Sequence, residues 1–156
     1  MDSETVLILD DEEMVLTSLS TYLALETDYE VVTFTSAKRA LEHLAQHDVG
    51  IIISDFLMPE MDGIKFLAQA KELRPDTPRV ILTGYADKEN AIKAINEVQL
   101  FQYVEKPWDN AQLTTLVRSG LERQHLIRSL YSTIEQLERT EADLSRLRRG
   151  LVRAFA

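Results

Sequence analysis

The sequence contains no cysteine, which excludes disulfides, thiolate metal sites and thiol nucleophiles. Proline and glycine are sparse, four and five in 156 residues, and no Pro-rich or Gly/Ser-rich stretch marks a flexible linker. Apolar runs are short: Val6–Leu9 and Gly50–Ile53 fall far below the length that spans a bilayer. The opening Met1-Asp2-Ser3-Glu4 is acidic and leads almost directly into a strand-like run, unlike a secretory leader. No GxxxxGK phosphate cradle occurs, so nucleotide binding has no support, and no internal repeat is visible. Together these absences point to a soluble, cytoplasmic protein with no membrane association.

What is present is an ordinary globular composition with an uneven charge. Hydrophobic residues make up 45% of the chain, enough for a real core. The formal net charge of −9 divides into −12 over residues 1–110 and +3 over residues 111–156. An acidic body repels phosphates, which argues against direct nucleic-acid binding by that part. Arg146, Arg148, Arg149 and Arg153 in the basic end read as a solvated helix face.

Two periodicities alternate along the first 110 residues. Short, often β-branched runs predict strands at Thr5–Leu9, Glu30–Phe34, Val49–Ser54, Arg79–Leu82 and Phe101–Val104. Between them lie helical stripes: Val15, Leu19, Tyr22 and Leu23; Ala37, Ala40, Leu41 and Leu44; Ile64, Leu67 and Ala68; Ala91, Ile92, Ile95 and Val98. Ser36, Asp62 and Asp87 stand where helix caps belong, and Asp109 with Gln112 resembles a capping box. Five strands alternating with helices predict an α/β fold, a doubly wound five-stranded parallel sheet covered on both faces.

In such a sheet, ligands bind where the strands finish. The first strand runs into Asp10-Asp11, the third into Asp55, the fourth into Thr83-Gly84 and the fifth into Glu105-Lys106-Pro107. Carboxylates converging at one edge repel one another unless a cation neutralises them. An all-oxygen set with room for water suits Mg²⁺, with Mn²⁺ as a substitute, better than Zn²⁺. His43 and His47 have the spacing of a two-His metal pair, but no third ligand is apparent and they lie on the wrong helix for this edge.

Four segments carry a family resemblance. Leu7-Ile8-Leu9-Asp10-Asp11-Glu12, the run from Ser54-Asp55 to Asp62-Gly63, Leu82-Thr83-Gly84 and Lys106-Pro107 resemble the signature segments of the receiver domain of two-component response regulators. The resemblance implies a flavodoxin-like sheet of strand order 2-1-3-4-5 and a receiver domain over residues 1–118. It implies that Asp55 is the phosphoryl acceptor. Asp11, Asp55 and the backbone carbonyl of Leu57 would bind Mg²⁺, with Asp10 acting through water. Thr83 and Lys106 would hold phosphoryl oxygens, Tyr103 would be the aromatic switch residue, and the Lys106-Pro107 bond would be cis. The partner implied is a sensor histidine kinase or phosphotransfer protein, and the protein would be a switch rather than an enzyme. Leu57, where many relatives carry a polar side chain, and Tyr85, two residues beyond Thr83, predict slow loss of the phosphoryl group.

The chemistry supports these roles. A carboxylate forms an acyl phosphate only if charge on the transferring group is neutralised, which a divalent ion and Lys106 can do. Two other classes stay open: a phosphorylation-independent interaction module of the same fold, and a hydrolase or phosphotransferase using the same carboxylates. The intact set of Asp11, Asp55, Thr83 and Lys106 argues against the first. The lack of a cap domain or spare general acid argues against the second. Tyr85-Ala86-Asp87 and Trp108-Asp109 look similar to receivers joined to cyclic-di-nucleotide phosphodiesterases or transcriptional activators.

Residues 119–156 predict an extended C-terminal helix, either a dimerising coiled coil or a linker to an effector. Leu130, Leu137, Leu144 and Leu151 recur every seven residues, with Ile127, Ile134 and Phe155 on the companion row. Leu on one row and Ile on the other favours two parallel strands, hence a homodimer. Glu141 and Arg148 interrupt the companion row, and Gly150 weakens the helix.

Overall fold

The computed structural model describes residues 4–84 and 88–154. Its elements alternate strictly: β1 (Thr5–Leu9), α1 (Glu13–Glu26), β2 (Glu30–Phe34), α2 (Ala37–Gln46), β3 (Ile51–Asp55), α3 (Gly63–Leu73), β4 (Arg79–Thr83), α4 (Lys88–Glu97), β5 (Gln102–Glu105) and α5 (Asn110–Ala154). All pairings are parallel, and the sheet order is β2-β1-β3-β4-β5, the flavodoxin-like order. The first two strands have the bounds expected from sequence. Val49 and Gly50 instead precede β3, where the Gly50 N–H donates to the Thr5 carbonyl, and β3, β4 and β5 each end one residue later than expected.

The pleat explains why β1, β3 and β4 are buried throughout. Leu7, Leu9, Ile52 and Ile81 pack on one face against α2, α3 and α4. Val6, Ile8, Ile51, Ile53, Val80 and Leu82 pack on the other against α1 and α5. Alternation cannot appear in a strand whose two faces are both covered. In α3 the buried set is Gly63, Phe66, Leu67 and Ala70, an i, i+3, i+4, i+7 stripe. Ala68, expected inside, is exposed, because it lies one position of rotation beyond that stripe. Ile92 is likewise exposed on α4, whereas Ala91 and Val98 are buried.

Caps define the entries to three helices. The Ser36 hydroxyl accepts from the Arg39 N–H and the Asp62 carboxylate from the Lys65 N–H at 2.8 Å. Asp109 accepts from the Ala111 N–H, one residue earlier than the capping-box geometry expects. Asp87 and Tyr85 lie outside the described residues, as does Phe155.

The chain divides into two compact units, Met1–Gln124 and His125–Ala156. Within the first, α5 packs on the sheet through Leu113, Val117, Gly120, Leu121 and Gln124. A Cβ at Gly120 would stand 2.5 Å from Ile51 Cδ1, so a small residue sets the depth of this packing. In the second, the heptad residues Leu130, Leu137, Leu144 and Leu151 are exposed. No helix among the described residues is long and apolar enough to cross a membrane.

Candidate functional site

Parallel strands deliver their C-terminal ends to one edge, and the chemistry of this chain is concentrated there. Asp10 follows β1 directly, Asp55 is the last residue of β3, Thr83 is the last of β4, and Lys106 follows β5. Because β1 and β3 are neighbours, carboxylate oxygens of Asp10, Asp11 and Asp55 come within 4.8 Å of one another. Asp10 and Asp55 are buried and Asp11 is exposed, so the cluster opens to solvent on one side.

Lys106 answers part of this charge. Its ammonium donates to Asp55 Oδ1 at 2.7 Å and stands 3.9 Å from Asp10 Oδ2. Burial alone would lower the lysine pKa, but the hydrogen bond and charge of Asp55 more than offset it and hold the group above its ordinary value. The Asp10 pKa is raised as well, which for a carboxylate disfavours the charged form. Burial pushes it up to about 6, against the lowering effect of the Glu12 N–H bond to Oδ1 and with the added repulsion of Asp55.

Asp10 Oδ2 is buried and has no hydrogen-bond partner. Such an oxygen costs free energy unless something positive or a proton reaches it. A hard divalent cation held by three carboxylates and completed by water fits this donor set. Among the described residues, this is the only cluster of three metal-ligating side chains. His43 and His47 stack on each other with centroids 4.6 Å apart, and Phe34 packs against His43, so the pair is accounted for by ring packing.

The other expected residues sit around the cluster. Thr83 is fully buried, and its hydroxyl donates to the Gly84 carbonyl at 3.0 Å. Tyr103 is half-buried on β5, beside Ile81 of β4. With Trp108 and Leu116 it lines a cleft of about 940 Å³ between β5 and α5. Leu57 lies in the β3–α3 loop and is 60% exposed. The Lys106-Pro107 peptide is cis.

One residue gains a role that sequence reasoning did not give it. Gly63 opens α3 directly behind Asp55, and a methyl group there would overlap the Asp55 carbonyl oxygen. The Gly63 N–H also donates to the Phe56 carbonyl at 2.8 Å. A glycine immediately after a capping aspartate was the available signal, because it forgoes helix propensity at a position where nothing local requires it.

The arrangement is that of a known family. Residues 6–118 match the response regulator receiver domain. The chain belongs to this family. The receiver is 35% identical over 122 residues to the hydrogenase transcriptional regulatory protein HoxA of Cupriavidus necator, covering 78% of this chain and 25% of that protein. It is 35% identical over 132 residues to the regulatory protein AtoC of Escherichia coli, covering 83% and 28%. The chain thus spans about a quarter of the length of these curated relatives. Among solved structures, an adenylate cyclase chain from Rhodopirellula baltica superposes with a TM-score of 0.81 at 28% identity, covering 86% of this chain and 98% of that one. The beryllofluoride-activated NtrC4 receiver domain dimer superposes with a TM-score of 0.71 at 29% identity, covering 78% and 98%.

Proposed function

We propose that this receiver is a phosphorylation-controlled signalling switch that takes a phosphoryl group onto Asp55 from the phosphohistidine of a sensor histidine kinase or phosphotransfer protein. The observation that carries this reading is the Asp55 carboxylate at the end of β3, bonded to Lys106 and grouped with Asp10 and Asp11. In the transfer, an Asp55 oxygen attacks phosphorus as the donor's N–P bond breaks. The electron pair of that bond returns to the imidazole, and an acyl phosphate forms.

Asp11, Asp55 and the Leu57 carbonyl would hold Mg²⁺, or Mn²⁺ in its place, with Asp10 acting through water. When bound, the ion neutralises charge on the transferring group. Lys106 then pairs with a phosphoryl oxygen instead of with Asp55 alone. The Thr83 hydroxyl, now bonded to Gly84, turns to the same oxygens, and Tyr103 moves into the space it leaves. This coupling biases an existing equilibrium and alters the β4–β5 surface. Leu57, apolar and exposed beside the acceptor, orients no water, so the acyl phosphate is long-lived.

The protein is a phosphoacceptor with its own labelling and hydrolysis chemistry, not a turnover enzyme. It acts in the cytoplasm, and two copies associate through the C-terminal helix to control a downstream output. Incubation with Mg²⁺ and acetyl phosphate should add one acid- or base-labile phosphoryl group by intact-mass spectrometry. Asp55→Asn should abolish it, and a chelator should do the same to the unaltered protein. Normal labelling of Asp55→Asn would overturn the assignment.

A further inference from the structure

Exposed apolar residues in the tail follow one pattern. With Leu130, Leu137, Leu144 and Leu151 at position d of a seven-residue repeat, Ile127, Ile134, Glu141 and Arg148 fall at a. Four more large apolar side chains are exposed in this segment. Leu126 and Leu147, 67% and 62% exposed, fall on g; Tyr131 and Val152, 51% and 64%, fall on e. Positions b, c and f between 125 and 154 hold no large apolar residue, and Arg128, Glu135, Arg139, Arg146, Arg149 and Arg153 all stand there. The flanks of the seam are therefore apolar at both ends, and the charge lies on the opposite side.

We propose that the tail pairs with a second copy of this chain, parallel and in register, and that Leu126–Tyr131 and Leu147–Val152 contacts between the copies clasp the coil at its two ends. The inference rests on the dimer of the proposed function and is independent of its phosphoryl chemistry. In a parallel pair, each g residue faces the e residue five positions on in the other chain. The flanking pairs are then Leu126–Tyr131, Thr133–Glu138, Thr140–Ser145 and Leu147–Val152. None sets like charges together, and the two-fold axis makes every apolar pair twice.

An antiparallel pair cannot do this, because g then faces g and e faces e. Joining Leu126 to Leu147 sets Tyr131 against Glu138, and joining Tyr131 to Val152 sets Leu147 against Thr140. Parallel pairing does bring Glu141 and Arg148 against their own copies. Their long stems lie along the seam while their charges turn outward. Ile at a with Leu at d keeps the assembly two-stranded.

A chain without cysteine lets single substitutions report the orientation. Under mild oxidation of the full chain, Arg148→Cys, at position a and far from the middle of the tail, should link to itself about tenfold faster than Ser129→Cys, which sits on the outward c position. Leu126→Glu combined with Leu147→Glu should weaken self-association by about tenfold or more in sedimentation, while Ser132→Glu at f should leave it unchanged. Arg148→Cys linking no faster than Ser129→Cys, a monomeric chain, or an unweakened double variant would each overturn the proposal. Both experiments are run without a phosphodonor. A chain that cross-links as expected yet takes no label from acetyl phosphate would sink the phosphoacceptor reading and leave the clasped coil standing.

Discussion

Lys106 and Asp55, 51 positions apart in the sequence, are joined by a 2.7 Å hydrogen bond between ammonium and carboxylate. The bond links the end of β5 to the end of β3 across β4, and it supplies a positive charge to a site that otherwise holds three carboxylates. The lysine side chain is 30% exposed, so solvent screens part of its effect.

Replacing that lysine tests how much the acidic cluster depends on it. Lys106→Met should destabilise the metal-free protein by about 1–2 kcal/mol, since it leaves the buried Asp10 and Asp55 without their cation. Added Mg²⁺ should raise the melting temperature of this variant more than that of the unaltered protein. Acetyl phosphate labelling should fall about tenfold or more, because the transferring group loses a fixed positive charge. Equal Mg²⁺ stabilisation of the two proteins in calorimetry would remove Lys106 from the charge balance.

Asp10 makes the metal-free fold sensitive to pH in a defined direction. Its folded-state pKa of about 6 lies above the ordinary 3.8, so between those values the native state binds the extra proton. The associated stability is present in full below the lower value and is lost as pH rises through the higher one. In chelator, Asp10→Asn should therefore exceed the unaltered protein by on the order of 1–3 kcal/mol near about pH 8. The gain should fade as pH falls through 6 toward 4, and denaturant melts at a series of pH values measure it. A gain that grew on acidification would show that the sign is wrong.

At Gly63, steric space is what matters. Gly63→Ala should cost about 2–4 kcal/mol, because the new methyl group forces α3 away from the Asp55 carbonyl. Mg²⁺ affinity should fall as well, although no charge has changed, since the shift moves the Asp55–Leu57 loop. Far-UV circular dichroism establishes that the variant is folded. Isothermal titration with Mg²⁺ then separates displaced ligands from lost stability.

The proposed switch runs from Asp55 through Thr83, the buried last residue of β4, to the β4–β5 surface. Thr83→Ala should still take phosphate at Asp55, but Tyr103 and its neighbours on β5 should respond weakly. Amide shifts recorded with and without beryllofluoride measure the response. Shifts at β5 as large as those of the unaltered protein would break the proposed link between the two residues.

The elements themselves were legible in the sequence because each is encoded locally. The bounds of β1 and β2, the caps at Ser36 and Asp62, and the burial of both faces of β3 follow from propensity, hydrogen-bonding chemistry and apolar patterning within a few residues. The convergence of Asp10, Asp11, Asp55 and Lys106 was legible for a related reason: polar groups that terminate apolar strands stand out, and a parallel sheet brings those termini to one edge. The helix faces of α3 and α4 were only partly legible, because Ala68 and Ile92 fit a stripe as well as their neighbours do, and only packing chooses the rotation.

Tertiary structure alone decided which polar groups are buried and what satisfies them. Arg79 opens β4 and looks like any strand-edge cation, yet it is buried, with its guanidinium donating to carbonyls of Arg74, Pro75, Thr77 and Gln99. Gln124 sits within a polar helix segment, yet it is buried and donates to the Val49 carbonyl at 2.7 Å and to the Thr77 hydroxyl. The elevated Asp10 pKa and the Lys106–Asp55 bond are of the same kind. Each depends on partners from distant segments and on the exclusion of water between them, and neither quantity is carried by the local pattern that specifies a strand or a helix.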